Sequence, residues 1–230
     1  MLLVAGLFKI ESPSGTPIAG MVLSAGAGAN ATSAVTDVDG RATLRLPASC
    51  GFEVVGTLPP HYQNLHIFGA AGVSSFQYTT YMGTRLEAAA LARLAGVPHD
   101  SSRGCVVVGL DALVDPHGGL APSNLAPAVG ATAALDGLNE SAAPFVLMGN
   151  LWPARSQTIS ANSSSFVTFP NVAAARMAHG SATASPPVGQ QCSVSPGFAA
   201  QPQPVRAYPD AVSVVSFICM RPNETRTVEY

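Results

Sequence analysis

Thr84-Arg85-Leu86-Glu87-Ala88-Ala89-Ala90-Leu91-Ala92-Arg93-Leu94-Ala95-Gly96-Val97-Pro98 is the one stretch of the chain that reads as a helix. Thr84 is placed as an N-cap, and Glu87 three residues on completes a capping box, so side chains satisfy N–H groups left open at the helix start. Ala, Leu, Glu and Arg fill the interior and favour helix. Leu86, Ala90, Leu94 and Val97 share a face, with Leu91 beside them. Gly96 suits the left-handed position after the last turn, and Pro98 blocks continuation. Three turns are too few to stand alone in water, so the apolar face is expected to dock on the neighbouring sheets. Because this is the only helix, the rest of the chain reads as strand and loop.

Composition agrees with that reading. The 230 residues include 22 Gly and 19 Pro, a density of turn formers that fits many short strands. Only 10% of residues are charged, against roughly 25% in ordinary soluble proteins. The net charge of −2 gives no basic footprint, so no nucleic-acid partner is expected. No apolar run approaches the roughly 18–20 residues that span a bilayer, so no membrane-spanning segment is expected. Met1 to Phe8 lacks a basic n-region and flows directly into Lys9-Ile10, as a first strand does.

Upstream of the helix, Leu3 to Ile10 and Ile18 to Leu23 read as strands on either side of the turn Ser12-Pro13-Ser14-Gly15-Thr16-Pro17. Arg41-Ala42-Thr43-Leu44-Arg45-Leu46-Pro47 alternates strictly, with Ala42, Leu44 and Leu46 inward. Thr36-Asp37-Val38-Asp39-Gly40 before it is a tight turn. Two carboxylates are too few for calcium, which needs six to eight oxygens, so Asp37 and Asp39 are assigned to turn chemistry.

Gly15-Thr16-Pro17-Ile18-Ala19-Gly20-Met21-Val22, followed by Thr36-Asp37-Val38-Asp39-Gly40-Arg41-Ala42-Thr43-Leu44, resembles the carboxypeptidase regulatory-like family over about 50 residues. Ala42 stands where that family has an aromatic residue. The resemblance implies a small transthyretin-like β-sandwich without catalytic residues, of a kind found in extracytoplasmic binding and surface proteins.

Downstream, Pro127 to Leu135 echoes Pro17 to Leu23, and Ser165 to Val172 echoes the Arg41–Leu46 strand. The expected architecture is therefore all-β: two tandem transthyretin-like or Ig-like sandwiches joined by one short α-helix. The first spans 1–72, an extended segment and linker helix (84–95) span 73–103, and the second spans 104–230. Ala182 to Pro209 reads as a long loop, and Val212 to Cys219 as a closing strand.

The four cysteines, Cys50, Cys105, Cys192 and Cys219, fit no zinc or C-x-x-C pattern. Cys192 and Cys219 flank the last strands and are the favoured disulfide pair. Cys50 and Cys105 either staple the two modules or remain as buried thiols. N-x-[ST] sequons occur at Asn30, Asn139, Asn162 and Asn223. In a eukaryotic secretory path they accept glycans; in a bacterium they mark Ser/Thr-rich loops.

No H-E-x-x-H, G-x-S-x-G or Gly-rich phosphate loop is present. The one cluster with metal-ligand chemistry is His61, Tyr62 and His66, with Tyr81 nearby. It resembles the site of intradiol ring-cleavage dioxygenases, but that family spaces its histidines as P-A-H-I-H. Here His66 is five positions after His61, which on a strand turns them to opposite faces. Trp152, the only Trp, is assigned to core; if exposed, it and Tyr62 offer surfaces for stacking on a sugar ring. The sequence thus points to a non-enzymatic extracytoplasmic module that acts at a cell surface in binding protein or carbohydrate or as a structural spacer, without a cofactor. An iron-dependent enzyme and a carbohydrate-binding module are the alternatives.

Overall fold

The computed structural model describes residues 2–26, 31–97, 99–115, 122–138, 143–149, 152–173 and 180–222. Residues up to the helix form β1 (Leu3–Glu11), β2 (Val22–Ala25), β3 (Thr32–Val35), β4 (Arg41–Pro47), β5 (Gly51–Thr57), β6 (Asn64–Ala70) and β7 (Phe76–Tyr81). The helix α1 is Arg85–Leu94. After it come β8 (Gly104–Leu113), β9 (Leu125–Pro127), β10 (Thr132–Asp136), β11 (Phe145–Met148), β12 (Pro153–Arg155) and β13 (Ser163–Val172). The chain then runs through β14 (Gly180–Ser185), β15 (Gln191–Val194), β16 (Gln203–Val205) and β17 (Ala211–Met220). The fold is an all-β, multi-stranded sandwich with one short α-helix among the described residues.

Its spine is an 11-stranded sheet, ordered β12-β11-β13-β8-β17-β6-β5-β2-β3, with β15 beside β17 and β9 beside β8. Two three-stranded sheets, β4-β1-β7 and β10-β14-β16, pack against it. The last strand, β17, lies between β8 and β6 and runs parallel to both. It reads as a nearly unbroken apolar run because both of its faces are covered. Val214 belongs to the core under β4-β1-β7, whereas Val215, Phe217 and Cys219 belong to the core under β10-β14-β16. Successive strand residues point to opposite faces, so the two small sheets lie on opposite faces of the large one. The large sheet is continuous across the expected boundary near residue 103, and β17 carries it there.

The first core shows how local sequence sets the packing. In β4 the side chains of Ala42, Leu44 and Leu46 are buried while Arg41, Thr43 and Arg45 are exposed, as alternation requires. Phe8 is fully buried and meets Phe52 and Phe76 edge-on at 6.0 and 5.9 Å. The Thr36–Gly40 turn is held by its own side chains. Thr36 Oγ1 donates to the Ile18 carbonyl at 2.8 Å and accepts from Met21 N at 2.9 Å. Asp37 Oδ1 accepts from the N–H groups of Asp39 and Arg41, each at 2.9 Å. Gly40 has φ 71°, and a Cβ there would strike the Ile10 carbonyl oxygen.

Several expectations are corrected. The capping box of α1 forms, with Glu87 N donating to Thr84 Oγ1 at 3.2 Å and Thr84 N to Glu87 Oε2 at 2.7 Å. Yet no residue of α1 is buried. Leu86 is 80% exposed and Leu94 52% exposed, so the apolar face does not dock as expected; only Val97, past the helix end, is buried. The helix is held at its ends instead, and the join between the two cores is β17. The expected loop from Ala182 to Pro209 contains part of β14 and all of β15 and β16. The echoed segments do not share a pairing scheme. β2 lies in the large sheet and β4 in a small one, whereas β10 lies in a small sheet and β13 in the large one. A short echo of sequence does not fix which partner a strand takes.

Candidate functional site

The metal-ligand candidates are not gathered into one site. His66 lies on β6 opposite Ser213 of β17, on the face away from Val214. Its Nδ1 is 2.8 Å from Glu53 Oε1, and its ring stacks on Tyr208 at 3.9 Å. A carboxylate only accepts, so Nδ1 carries the proton in this pair. Burial raises the Glu53 carboxyl, but hydrogen bonds from His66 and Tyr208 and the charge of Arg206 outweigh it and hold it below its ordinary value. Burial, and then the Glu53 contact, push the Tyr208 hydroxyl up. His61 is exposed at the turn before β6, and Tyr62 forms a bridge with Thr84. Tyr81 packs edge-on against Phe166 at 5.8 Å, on the opposite face of the large sheet from His66. Among the described residues no group of three or more His, Cys, Asp or Glu side chains is placed to hold a metal ion.

A concavity lies elsewhere, between β7, α1 and the large sheet. The β4-β1-β7 sheet covers only part of its face of the large sheet. Beyond β7, the strands β17, β8, β13 and β11 leave Val107, Leu147, Phe166 and Thr168 half-buried. Two adjoining hollows of about 160 and 310 Å³ open there. Pro13 and Tyr81 wall both of them, and α1 closes the smaller with Ala88, Leu91 and Ala92.

A polar clasp holds α1 at the rim. Arg85 Nη1 pairs with Asp210 Oδ2, and Arg85 Nε donates to the Tyr62 carbonyl at 3.1 Å. Gln63 Nε2 donates to Asp210 Oδ1 at 3.1 Å, and His99 Nε2 lies 3.9 Å from the same oxygen. Burial raises Asp210, but the hydrogen bonds from Arg85 and Gln63 and the Arg85 charge leave its carboxyl below the ordinary value.

Two titratable groups sit half-buried on the groove side of β8. Burial pushes the Cys105 thiol up to about 12, which leaves it unreactive as a nucleophile at neutral pH. Burial pushes the Asp111 carboxyl up to about 6, against a hydrogen bond from Ser165. Asp111 had a legible signal: it is the lone charge in the apolar run from Cys105 to Leu113. Glu53, Tyr208 and Asp210 had none, because their partners arrive from distant strands.

Cys192 and Cys219 are directly opposite on β15 and β17 and form a disulfide. Cys50 and Cys105 are free, and Cys50 is exposed, so they neither staple the halves nor stay as two buried thiols. Trp152 is 56% exposed, not core. It lines a shallow depression with Met148, Pro153 and Asn162. Asn162 is exposed, whereas Asn30, Asn139 and Asn223 lie outside the described residues. No described helix is long and apolar enough to cross a membrane.

No family model and no curated protein matches the chain. Among solved structures, the chain is similar to the TIE protein of Bacillus anthracis, with 6% identity and a TM-score of 0.29 over 95% of this chain and 34% of that one. It therefore spans about a third of that protein's length. It is also similar to GBS52, the minor pilin of Streptococcus agalactiae, with 10% identity and a TM-score of 0.29 over 96% of each chain. The shaft pilin SpaA of Lactobacillus rhamnosus GG follows, with 9% identity and a TM-score of 0.25 over 94% of this chain and 98% of that one. TM-scores of this size carry no weight for fold or function.

Proposed function

We propose that this chain is a non-enzymatic, extracytoplasmic β-sandwich protein that serves as a structural and binding module at a cell surface. The observation that carries the reading is the Cys192–Cys219 disulfide, set on β17, the strand that both cores share. Disulfides persist in oxidising compartments and are rare where thiols are kept reduced. A cross-link between β15 and β17 keeps the shared strand tied within the second core. Low charge and the absence of an assembled metal cluster among the described residues are in line with a module that binds rather than reacts. In this reading residues 1–72, with β7 from the segment 73–103, build one sandwich and residues 104–230 the other, and β17 completes both cores.

The test is intact mass of native-source protein, alkylated under denaturing conditions without reductant. Labelling of two thiols, Cys50 and Cys105, is the expected result. Labelling of all four removes the ground for an extracytoplasmic location.

A carbohydrate partner is the second reading, and the exposure of Trp152 favours it. An indole lying open beside Pro153 offers an apolar face to the C–H side of a sugar ring. A glycan panel probed with the wild-type chain and Trp152→Ala tests it. A panel without hits, or hits that Trp152→Ala retains, ends this reading.

A further inference from the structure

The β7 strand is the last strand of the β4-β1-β7 order. It pairs in parallel with β1 on one side. In such a pair alternate residues turn their N–H and C=O groups to the partner, and the others turn them outward. Among the described residues no backbone group pairs with that outer edge. Exposed edges are ordinarily blunted by Lys, Pro or a bulge. Phe76-Gln77-Tyr78-Thr79-Thr80-Tyr81 has no charge and no proline. At the Thr80–Tyr81 end of this edge lies the larger hollow, floored by Val107, Leu147, Phe166 and Val214 and lined by no charged side chain.

We propose that this groove receives an extended peptide segment of a partner protein. The segment adds to β7 as a fourth strand of its sheet and seats every second side chain on the floor. Two features specify this occupant. The open edge needs alternating backbone donors and acceptors at strand spacing, which a lipid or small hydrophobe does not supply. The uncharged lining matches uncharged side chains at the inward positions and penalises charged ones. The six residues of β7 span about 20 Å at strand rise, so the segment is about six to eight residues long.

The proposal is independent of the compartment reading, since the groove is present whatever the state of the thiols. The probe is a displayed library of random octapeptides, panned on the full chain and then resynthesised. Enriched peptides are expected to carry uncharged apolar residues at every second position. Their binding slows amide exchange in β7. Methylation of alternate peptide nitrogens weakens binding at least tenfold, and so does Leu147→Asp in the groove floor. The methylated peptides test the unaltered protein, so the result stands even where Leu147→Asp fails to fold. The proposal is overturned by a library that yields no enrichment. It is equally overturned by peptides that leave β7 exchange unchanged or ignore methylation, or by self-association that protects β7 without peptide.

Discussion

Replacing Asp111 by Asn is expected to stabilise the protein at neutral pH and to do nothing in acid. Burial on the groove side of β8 raises this carboxyl from 3.8 to about 6. A folded-state value above the unfolded one means that the folded chain holds a proton that the unfolded chain releases between pH 3.8 and about 6. Stability therefore falls as pH rises through that window. Below it both states are protonated and there is no cost. Above it both are ionised and the cost is complete, at about 3 kcal/mol. Asn keeps the shape and can still accept from Ser165, but carries no charge to desolvate. Urea melts of wild type and Asp111→Asn at pH 3.5, 5 and 8 measure the difference. The gain is expected to grow from near zero to about 3 kcal/mol, which for a chain of this size raises Tm by about 6–12 °C. Glu53 and Asp210, whose carboxyls are lowered, act in the opposite sense. Their contribution is present above their unfolded values and lost as pH falls through the folded ones, and it cancels when wild type and variant are compared at one pH. A gain that is the same at every pH, or a loss at pH 8, would refute the assignment of Asp111 as a shielded, uncompensated carboxyl.

Gly40→Ala places a Cβ against the Ile10 carbonyl at a φ of 71°; it is expected to cost about 2–3 kcal/mol in a urea melt, and a change below 0.5 would show that the turn relaxes freely. Cys192→Ser opens a cross-link whose ends lie 27 residues apart. Loop closure makes that worth about 3.5 kcal/mol; reductant should lower wild-type stability and leave the variant unchanged, whereas a wild type indifferent to reductant contradicts it. Trp152 is the only Trp and is 56% exposed, so emission should lie at the red end of the indole range and be quenched readily by acrylamide. Trp152→Ala should change stability by less than about 0.5 kcal/mol; blue-shifted, protected emission would return this residue to the core.

What could be read from the sequence was local. The capping box at Thr84 and Glu87, the Asp37–Gly40 turn and the alternation of β4 each depend on residues within a few positions of one another. The closing strand was legible because β17 is apolar enough to announce burial on both faces. Its partners were not, since β6 and β8 lie far back in the chain and parallel pairing leaves no turn to mark the register. β14, β15 and β16 were hidden for a different reason. Their inward residues include Ala182, Ala184, Cys192 and Gln203, too small or too polar to show a period of two. The helix misled on packing: an apolar stripe was present, but a polar clasp holds α1, and its Asp210 lies 125 positions from Arg85 and 147 from Gln63. The groove needed β7, α1 and the face of the large sheet at once, and no one segment of sequence describes it.

The position of β17 ties stability to topology. Neither core is complete without it, because Val214 closes one while Val215 and Phe217 close the other. Its pairing with β6 spans about 150 positions of sequence, as in Val212 with Leu65. The loop-closure entropy of such a contact must be met before the contact returns anything, so this step is slow and late. Until it occurs, β6 and β8 each present an unpaired apolar edge. The disulfide to β15 acts at the same point in the structure, since Cys219 sits near the end of the strand that has furthest to travel. A shared, buried, cross-linked strand makes the two halves unfold together rather than one at a time. That coupling raises the barrier to opening either core by adding the contacts of the other.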